Sequence, residues 1–214
     1  MKLNIVQICV LAGFGLLASV SQAESLINGN PETGKTKSGT CTACHGTEGN
    51  SMSPVWPNLA GQAASYTVTQ LKAFKPDANG NALRSDPLMT AQAMLLSEQD
   101  IYDLAVYFET LPKASQAVAD SELIATGEAL WRGGNAKEGV AACMACHGPS
   151  GRGNPAAAYP QLAGQHAAYT SKQLNDYAAG TRQSDGKTRI MRDIAERLSP
   201  AEIKALASYI QGLK

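Results

Sequence analysis

The hexapeptide CTACHG at residues 41–46 occurs again, with one residue changed, as CMACHG at residues 143–148. The two copies are 102 residues apart (143 − 41), and their similarity extends outward in both halves. Further matches keep an offset of 102 or 103: Leu59–Gln62 with Leu162–Gln165, Tyr66 with Tyr169, Gln70-Leu71 with Gln173-Leu174, Met89 with Met191, and Leu96-Ser97 with Leu198-Ser199. This repeat predicts two tandem domains, 24–113 and 114–214, joined within the Ala/Ser-rich stretch 112–121.

Each copy has the pattern C-x-x-C-H, which is an attachment signal for a c-type haem. Two thiols three residues apart can add to the two vinyl groups of one haem, and the adjacent histidine then reaches the iron as its proximal ligand. The predicted cofactors are therefore two covalently bound haem c groups, each with its iron. The residues predicted to hold them are Cys41, Cys44 and His45 in the first half and Cys143, Cys146 and His147 in the second.

Three other uses of these cysteines are conceivable. The four cysteines could form two disulfides, but each pair is followed directly by a histidine, which a disulfide does not require. A zinc site needs four ligands, whereas each half supplies only two cysteines and one histidine locally. A thioredoxin-like redox pair belongs next to a βαβ pattern, and the sequence around these motifs has none.

The distal ligand of each iron decides between an electron carrier and a catalyst, because a methionine there closes the iron and raises its potential. Met89 and Met191 each follow the motif histidine by 44 residues (89 − 45 and 191 − 147). Met52 and Met94 have no methionine partner in the other half, and Met144 lies inside a motif. The matched spacing therefore predicts that Met89 and Met191 are the distal ligands.

One more histidine, His166, lies outside the motifs, and its counterpart in the first half is Ala63. Because the repeat does not require a histidine at this position, we expect His166 to be a surface residue.

The pattern of each half predicts a helical domain. Ser97 and Ser199 are each followed three residues later by an acid, which is the capping box that begins a helix, and apolar residues then recur on one face. Earlier helices are predicted at about 63–74 and 167–177, and before or into the motifs at about 32–40 and 123–132. Strand patterns are scarce, so the expected fold class is all-α.

The N-terminal residues predict the cellular compartment, and the charge composition excludes one class of partner. Residues 1–23 have a lysine, an apolar run from Ile5 to Ala18 and a Ser21-Gln22-Ala23 cleavage site, which is the layout of a secretory signal peptide and predicts the periplasm. Cys9 would be removed with it. Lys plus Arg number 18 and Asp plus Glu number 18, without a basic run, so we expect no nucleic-acid partner.

The motifs together resemble the dihaem cytochrome c4 family, which has two tandem class I cytochrome c domains. The resemblance covers nearly all of residues 24–214 and rests on both C-x-x-C-H motifs, Pro-x-Leu-Ala-Gly-Gln, Tyr-x-x-x-Gln-Leu and a methionine before the Leu-Ser-capped last helix. It implies an all-α fold in which each small helical domain is wrapped around one haem. It also implies the ligands named above, and domains that face each other about a pseudo-twofold axis with haem propionates near the interface.

A ligating histidine usually donates its other ring N–H to a carbonyl group. Pro57 and Pro160 open the two Pro-x-Leu-Ala-Gly-Gln segments, and the resemblance favours their carbonyls as the acceptors. The alternative is that both prolines only rigidify a loop.

The resemblance implies a periplasmic electron carrier between the cytochrome bc complex and a terminal oxidase, and peripheral membrane association is compatible with it. A dihaem subunit of a larger dehydrogenase, such as a sulfide-oxidising flavocytochrome, is the main alternative. A dihaem enzyme such as a peroxidase or thiosulfate dehydrogenase would need an open or displaceable distal position, against which two equally spaced methionines argue.

Overall fold

A computed structural model describes residues 27–214 of the chain. The expected signal peptide 1–23 lies outside the described residues. The described part is helical. Its only β-structure consists of three isolated β-bridges, and it contains no β-strand. The helices are α1 (Pro31–Lys37), α2 (Gly39–His45), α3 (Ala64–Phe74), α4 (Pro87–Met94), α5 (Glu98–Thr110), α6 (Ile124–Gly133), α7 (Met144–His147), α8 (Ala167–Ala178), α9 (Ile190–Ala195) and α10 (Pro200–Gly212).

The last helix of each half, α5 or α10, forms as the sequence predicts. The side chains of Ser97 and Ser199 each accept a hydrogen bond from the backbone N–H three residues further on. In turn, the carboxylates of Asp100 and Glu202 accept hydrogen bonds from the backbone N–H groups of Ser97 and Ser199. These reciprocal bonds satisfy backbone N–H groups that a helix start leaves without partners. The predicted apolar faces are buried, with Leu104 and Leu206 each 1% exposed.

The first helix of each half packs closely on the last. A Cβ added to Gly34 in α1 would lie 2.1 Å from the carbonyl oxygen of Asp103, and one added to Gly127 in α6 would lie 2.5 Å from that of Ala205. Asp103 and Ala205 are equivalent positions (205 − 103 = 102), so the crossing is the same in both halves. Only a glycine allows the two backbones to approach this closely.

The halves differ between this crossing and the cysteine motif. The offset is 93 residues at Gly34 and Gly127 but 102 at the motifs, so the second half has nine more residues here (102 − 93). They form a turn closed by a two-way hydrogen bond between the backbones of Asn135 and Val140. This inserted turn was not apparent from the repeat itself.

The two halves face each other through hydrogen bonds that occur in matched pairs. The backbone N–H of Asn58 donates to Gln165 Oε1 and that of Gln161 donates to Gln62 Oε1, both at 2.9 Å. In return, Gln165 Nε2 donates to the Asn58 carbonyl and Gln62 Nε2 to the Gln161 carbonyl. Since Asn58 matches Gln161 and Gln62 matches Gln165, the contacts have approximate twofold symmetry, as the resemblance implies. Within residues 27–214, no helix has the length and apolar character needed to cross a bilayer.

Candidate metal centres and the interface between them

Each cysteine motif ends a short helix with its histidine. His45 is the last residue of α2 and His147 is the last of α7, and both are buried. The next residues, Gly46 and Gly148, have φ of 82° and 78° with extended ψ, a backbone conformation that is essentially restricted to glycine. At these glycines the backbone turns away from the helix axis, so each histidine is the last residue of its helix.

Both imidazoles are oriented by a proline carbonyl, as predicted. His45 Nδ1 lies 2.8 Å from the carbonyl oxygen of Pro57, and His147 Nδ1 lies 3.0 Å from that of Pro160. A carbonyl oxygen can only accept, so Nδ1 carries the proton and Nε2 keeps its lone pair free for a metal. Burial lowers the pKa of both histidines, which favours the neutral imidazole that ligation requires.

The four motif cysteines, Cys41, Cys44, Cys143 and Cys146, are not joined to one another as disulfides, which argues against the disulfide alternative. Burial raises the pKa of Cys41, and it raises that of Cys143 to about 11. A redox-active cysteine pair depends on a lowered thiol pKa, so the raised pKa of Cys41 and Cys143 argues against the thioredoxin-like alternative. No three His, Cys, Asp or Glu side chains in the described chain are grouped as a metal-binding cluster.

The candidate distal methionines lie on two short helices that the sequence analysis did not predict. Met89 is the third residue of α4 and Met191 is the second residue of α9, and both are half-buried. Met52 and Met94, which the repeat excluded as ligands, are 95% and 60% exposed. Each helix is anchored by an aspartate: Asp86 accepts a hydrogen bond from the Met89 backbone, and Asp185 accepts one from the Arg192 backbone.

Three pairs of residues, two arginines, two tyrosines and two glutamines, form a hydrogen-bonded cluster at the interface, and the sequence analysis did not predict the arginines. Arg84 donates to Gln70 and, across the interface, to Tyr169 and Gln173, at 2.6–3.1 Å. Arg182 makes the mirrored set at 2.7–2.8 Å, to Gln173 and, across the interface, to Tyr66 and Gln70. The tyrosines and glutamines belong to the repeat, whereas the arginines are 98 residues apart (182 − 84), outside its register.

The cluster has a charge that its protein partners do not balance. Arg182 is 3% exposed and Arg84 is half-buried, yet neither forms an ion pair with a carboxylate in the described part of the chain. Buried charges are normally paired, because removing them from water is costly. A haem carries carboxylates on its propionates, so these two neighbouring guanidinium groups among neutral partners are suited to pair with propionates, which the resemblance implies near this interface.

His166 is not the surface residue that the sequence analysis expected. It is 8% exposed and precedes α8, as Ala63 precedes α3. Its Nε2 donates to the carbonyl oxygen of Ser51 in the other half at 3.0 Å. The expectation failed because the repeat describes each half alone, whereas His166 acts between the halves.

A histidine with a free Nε2 beside two thiols, present once in each helical half, defines a c-type cytochrome with two haems. Comparisons with known proteins agree with this class. The Cytochrome c family model matches residues 32–112 and 132–214. A cytochrome c4 from Pseudomonas aeruginosa is 47% identical over 185 residues, which cover 86% of this chain and 89% of the relative. The crystal structure of reduced recombinant cytochrome c4 from Pseudomonas stutzeri matches with a TM-score of 0.83 at 45% identity, and covers 87% of this chain and 100% of that one.

A thiosulfate dehydrogenase electron acceptor from Stutzerimonas stutzeri is 36% identical over 172 residues, which cover 79% of this chain and 76% of the relative. The chain belongs to the dihaem cytochrome c4 family. It carries two covalently bound haem c groups and is an electron-transfer protein. The resemblance, the all-α fold with two tandem class I cytochrome c domains, and the cofactors predicted from the sequence are therefore confirmed.

Proposed function

We propose that this chain is a periplasmic electron shuttle that takes electrons from the cytochrome bc complex and passes them to a terminal oxidase. Residues 1–23 would direct its export, and 24–113 and 114–214 would be its two domains. The main support is that both motif histidines have the same orientation, each fixed by a proline carbonyl, and that each has a methionine at the same spacing. Two irons closed in the same way suit a carrier rather than a catalyst.

The residues that would hold the cofactors follow from the motifs. Cys41 and Cys44 would form the thioether links of the first haem, and Cys143 and Cys146 those of the second. His45 with Met89 and His147 with Met191 would be the axial ligand pairs. When bound, each haem iron supplies a centre that changes by one electron between the ferric and ferrous states.

The protein itself would control the geometry and the electrostatics of these centres. The Pro57 and Pro160 carbonyls hold the imidazoles in one orientation, with Nε2 available to the iron. Arg84 and Arg182 place positive charge at the interface, which disfavours the ferric form and thus raises both potentials. The matched bonds between the halves keep the two centres at a fixed separation.

The ligand assignment can be tested by visible and NMR spectroscopy of the purified holoprotein. The oxidised protein should show the weak sulfur-to-iron band near the red end of the spectrum. Met89→Ala should halve that band and leave the other haem intact, and Met191→Ala should remove the other half. Met94→Leu is the matched control, because Met94 is exposed, and it should leave the band unchanged. An absent band in the unmodified protein would refute the assignment.

One observation supports a second candidate electron donor. The chain is 36% identical to a protein described as a thiosulfate dehydrogenase electron acceptor, so a dehydrogenase is a candidate electron donor in place of the bc complex. This role differs from the main alternative of the sequence analysis, in which the chain is a dihaem subunit of a larger dehydrogenase. Stopped-flow reduction of the holoprotein separates the two: we expect faster reduction by the bc complex with quinol than by a thiosulfate dehydrogenase with thiosulfate. The reverse order would replace the proposed donor.

A further inference from the structure

The two methionine-bearing segments are anchored with different strength. In the second half, Arg192 follows Met191 directly and forms an ion pair with Asp185, whose Oδ1 accepts from Arg192 Nε at 2.8 Å. Asp185 Oδ2 accepts from the Arg192 backbone at 3.0 Å, and the Arg192 guanidinium also donates to the Gly186 carbonyl. The side chains of Arg192 and Asp185 are only 10% and 5% exposed, so this ion pair is buried beneath the loop that precedes α9 and links the loop to the helix.

The loop closed by this ion pair contains one residue in an unfavourable backbone conformation. Arg189, two residues before Met191, has φ of 53°, in the left-handed region that a non-glycine residue rarely adopts. Such a conformation persists when surrounding contacts enforce it. If the ion pair is lost, the segment can therefore relax away from this conformation.

Within residues 27–113, the first half has no equivalent ion pair. The residue matching Arg192 is Thr90 (192 − 102 = 90), whose side chain is uncharged and too short to reach across the loop. A single side-chain hydrogen bond, from the Met89 backbone to Asp86 Oδ1 at 3.1 Å, caps α4. Leu88 beside Met89 is 61% exposed, compared with 39% for its counterpart Ile190.

Two further kinds of anchor occur in both halves, and the second half also has the half-exposed Arg189–Asp193 ion pair. Arg84 and Arg182 each tie the preceding loop into the interface cluster. Just beyond the helices, Lys75 donates to the Leu96 carbonyl in the first half, and Arg197 donates to the Gly139 carbonyl in the second. Because an exposed ion pair contributes little, the buried Asp185–Arg192 pair is the main difference.

We infer that the segment carrying Met89 leaves its iron more readily than the segment carrying Met191, so the first half has a displaceable ligand position that binds small nitrogen donors of the imidazole class first. The inference rests on the proposed ligation by both methionines. An external ligand can bind only the fraction of molecules whose methionine is displaced, so its apparent affinity scales with that fraction. A buried ion pair that must break makes the fraction smaller in the second half.

The test is an imidazole titration of the oxidised holoprotein, followed by the NMR signals of the two methionine methyl groups. We expect the Met89 signal to disappear at an imidazole concentration at least about tenfold lower than the Met191 signal. Asp185→Asn should move the Met191 transition to lower imidazole and leave the Met89 transition in place. Asp193→Asn, which removes the half-exposed ion pair between Asp193 in α9 and Arg189 just before the helix, is the matched control and should move the Met191 transition much less.

Two results would contradict the inference in different ways. If both methyl signals are present without imidazole but Met191 is displaced first or at the same concentration, the inference is wrong while the ligation stands. If either signal is absent without imidazole, the proposed ligation is wrong, and the inference falls with it.

Discussion

The imidazole of His166 donates from Nε2 to the carbonyl oxygen of Ser51, 115 residues earlier in the chain and in the opposite half, at 3.0 Å. Ser51 is itself bound to the first cysteine motif, because its hydroxyl donates to the Cys44 carbonyl at 2.8 Å. Its backbone N–H donates to Asn58 Oδ1, and Asn58 belongs to the paired interface bonds. The second half thereby supports the loop that follows the first motif.

Removing this imidazole should loosen that loop. His166→Ala leaves the Ser51 carbonyl in a 7%-exposed residue without its donor, and we expect a loss of about 1–3 kcal/mol in the free energy of unfolding. Hydrogen exchange of the holoprotein should show faster exchange in residues 49–53 and unchanged exchange in α10. His166→Gln keeps a donor and should recover part of the loss. Unchanged exchange in 49–53 after His166→Ala would contradict this role.

The interface arginines should raise the potentials of both haems. Arg84→Gln or Arg182→Gln removes a positive charge that disfavours the ferric state, so both potentials should fall, by tens of millivolts for a charge at roughly 10–15 Å. Lys187→Gln removes an exposed positive charge and should have a much smaller effect. Redox titration with each haem followed separately measures this. A rise in either potential would show that the arginines act differently.

Haem attachment should be a condition for folding of each half. Cys143→Ser with Cys146→Ser should leave 114–214 disordered and halve the haem content, because thioether links and iron ligation tie distant segments to one centre. Cys41→Ser with Cys44→Ser should do the same to 24–113, and so serves as the matched experiment. Slow hydrogen exchange in a half that lacks haem would refute this dependence.

Residues that repeat could be predicted from the sequence, and residues that break the repeat could not. The capped helices α5 and α10 follow from Ser97 and Ser199, and the resemblance to the cytochrome c4 family implied the carbonyls of Pro57 and Pro160 as acceptors. Helices α4 and α9 escaped prediction because they are short and lack a regular apolar face. Arg84 and Arg182 escaped it because loops of different length displace them from the common offset, although they form equivalent bonds in space.

The charge distribution predicts which haem has the lower potential. Residues 24–113 carry 6 basic and 9 acidic side chains, net −3, and 114–214 carry 11 and 9, net +2. Negative charge stabilises the ferric state, so the haem on His45 should have the lower potential. Five charges (2 + 3) at roughly 15 Å in water amount to ~1.4 kcal/mol, or ~59 mV for one electron. Salt screening reduces this to tens of millivolts.

Redox titration monitored by NMR of the Met89 and Met191 methyl groups tests this order. The His147 haem should be oxidised last as the potential is raised. If it is oxidised first, local burial or hydrogen bonding outweighs the summed charge.

Acid should weaken the start of α5. Hydrogen bonds lower the pKa of Asp100 to about 2, and the bond from Lys37 has a larger effect than those from Ser97. Its unfolded pKa is about 3.9, so its stabilising contribution is complete above that pH and is lost as the pH falls through about 2. Asp100→Asn should cost about 1 kcal/mol near neutral pH, after allowance for solvent screening, and the difference from the unmodified protein should vanish below pH 2.

Urea unfolding of the holoprotein at several pH values measures this difference. Glu202→Gln, the equivalent change in α10, removes a capping carboxylate without a lysine ion pair and should cost less. A cost for Asp100→Asn that is independent of pH would show that its charge is not responsible.

The matched bonds of Asn58 with Gln165 and of Gln161 with Gln62 are those of two identical subunits related by a twofold axis. In a homodimer of that kind, any substitution enters both sides of the interface at once. In this chain it enters only one, so a histidine can face Ser51 while alanine remains at position 63, and an arginine can follow Met191 while threonine follows Met89. Covalent linkage therefore fixes the stoichiometry at one of each half and lets the two haem environments diverge, which a symmetric dimer of one polypeptide cannot do.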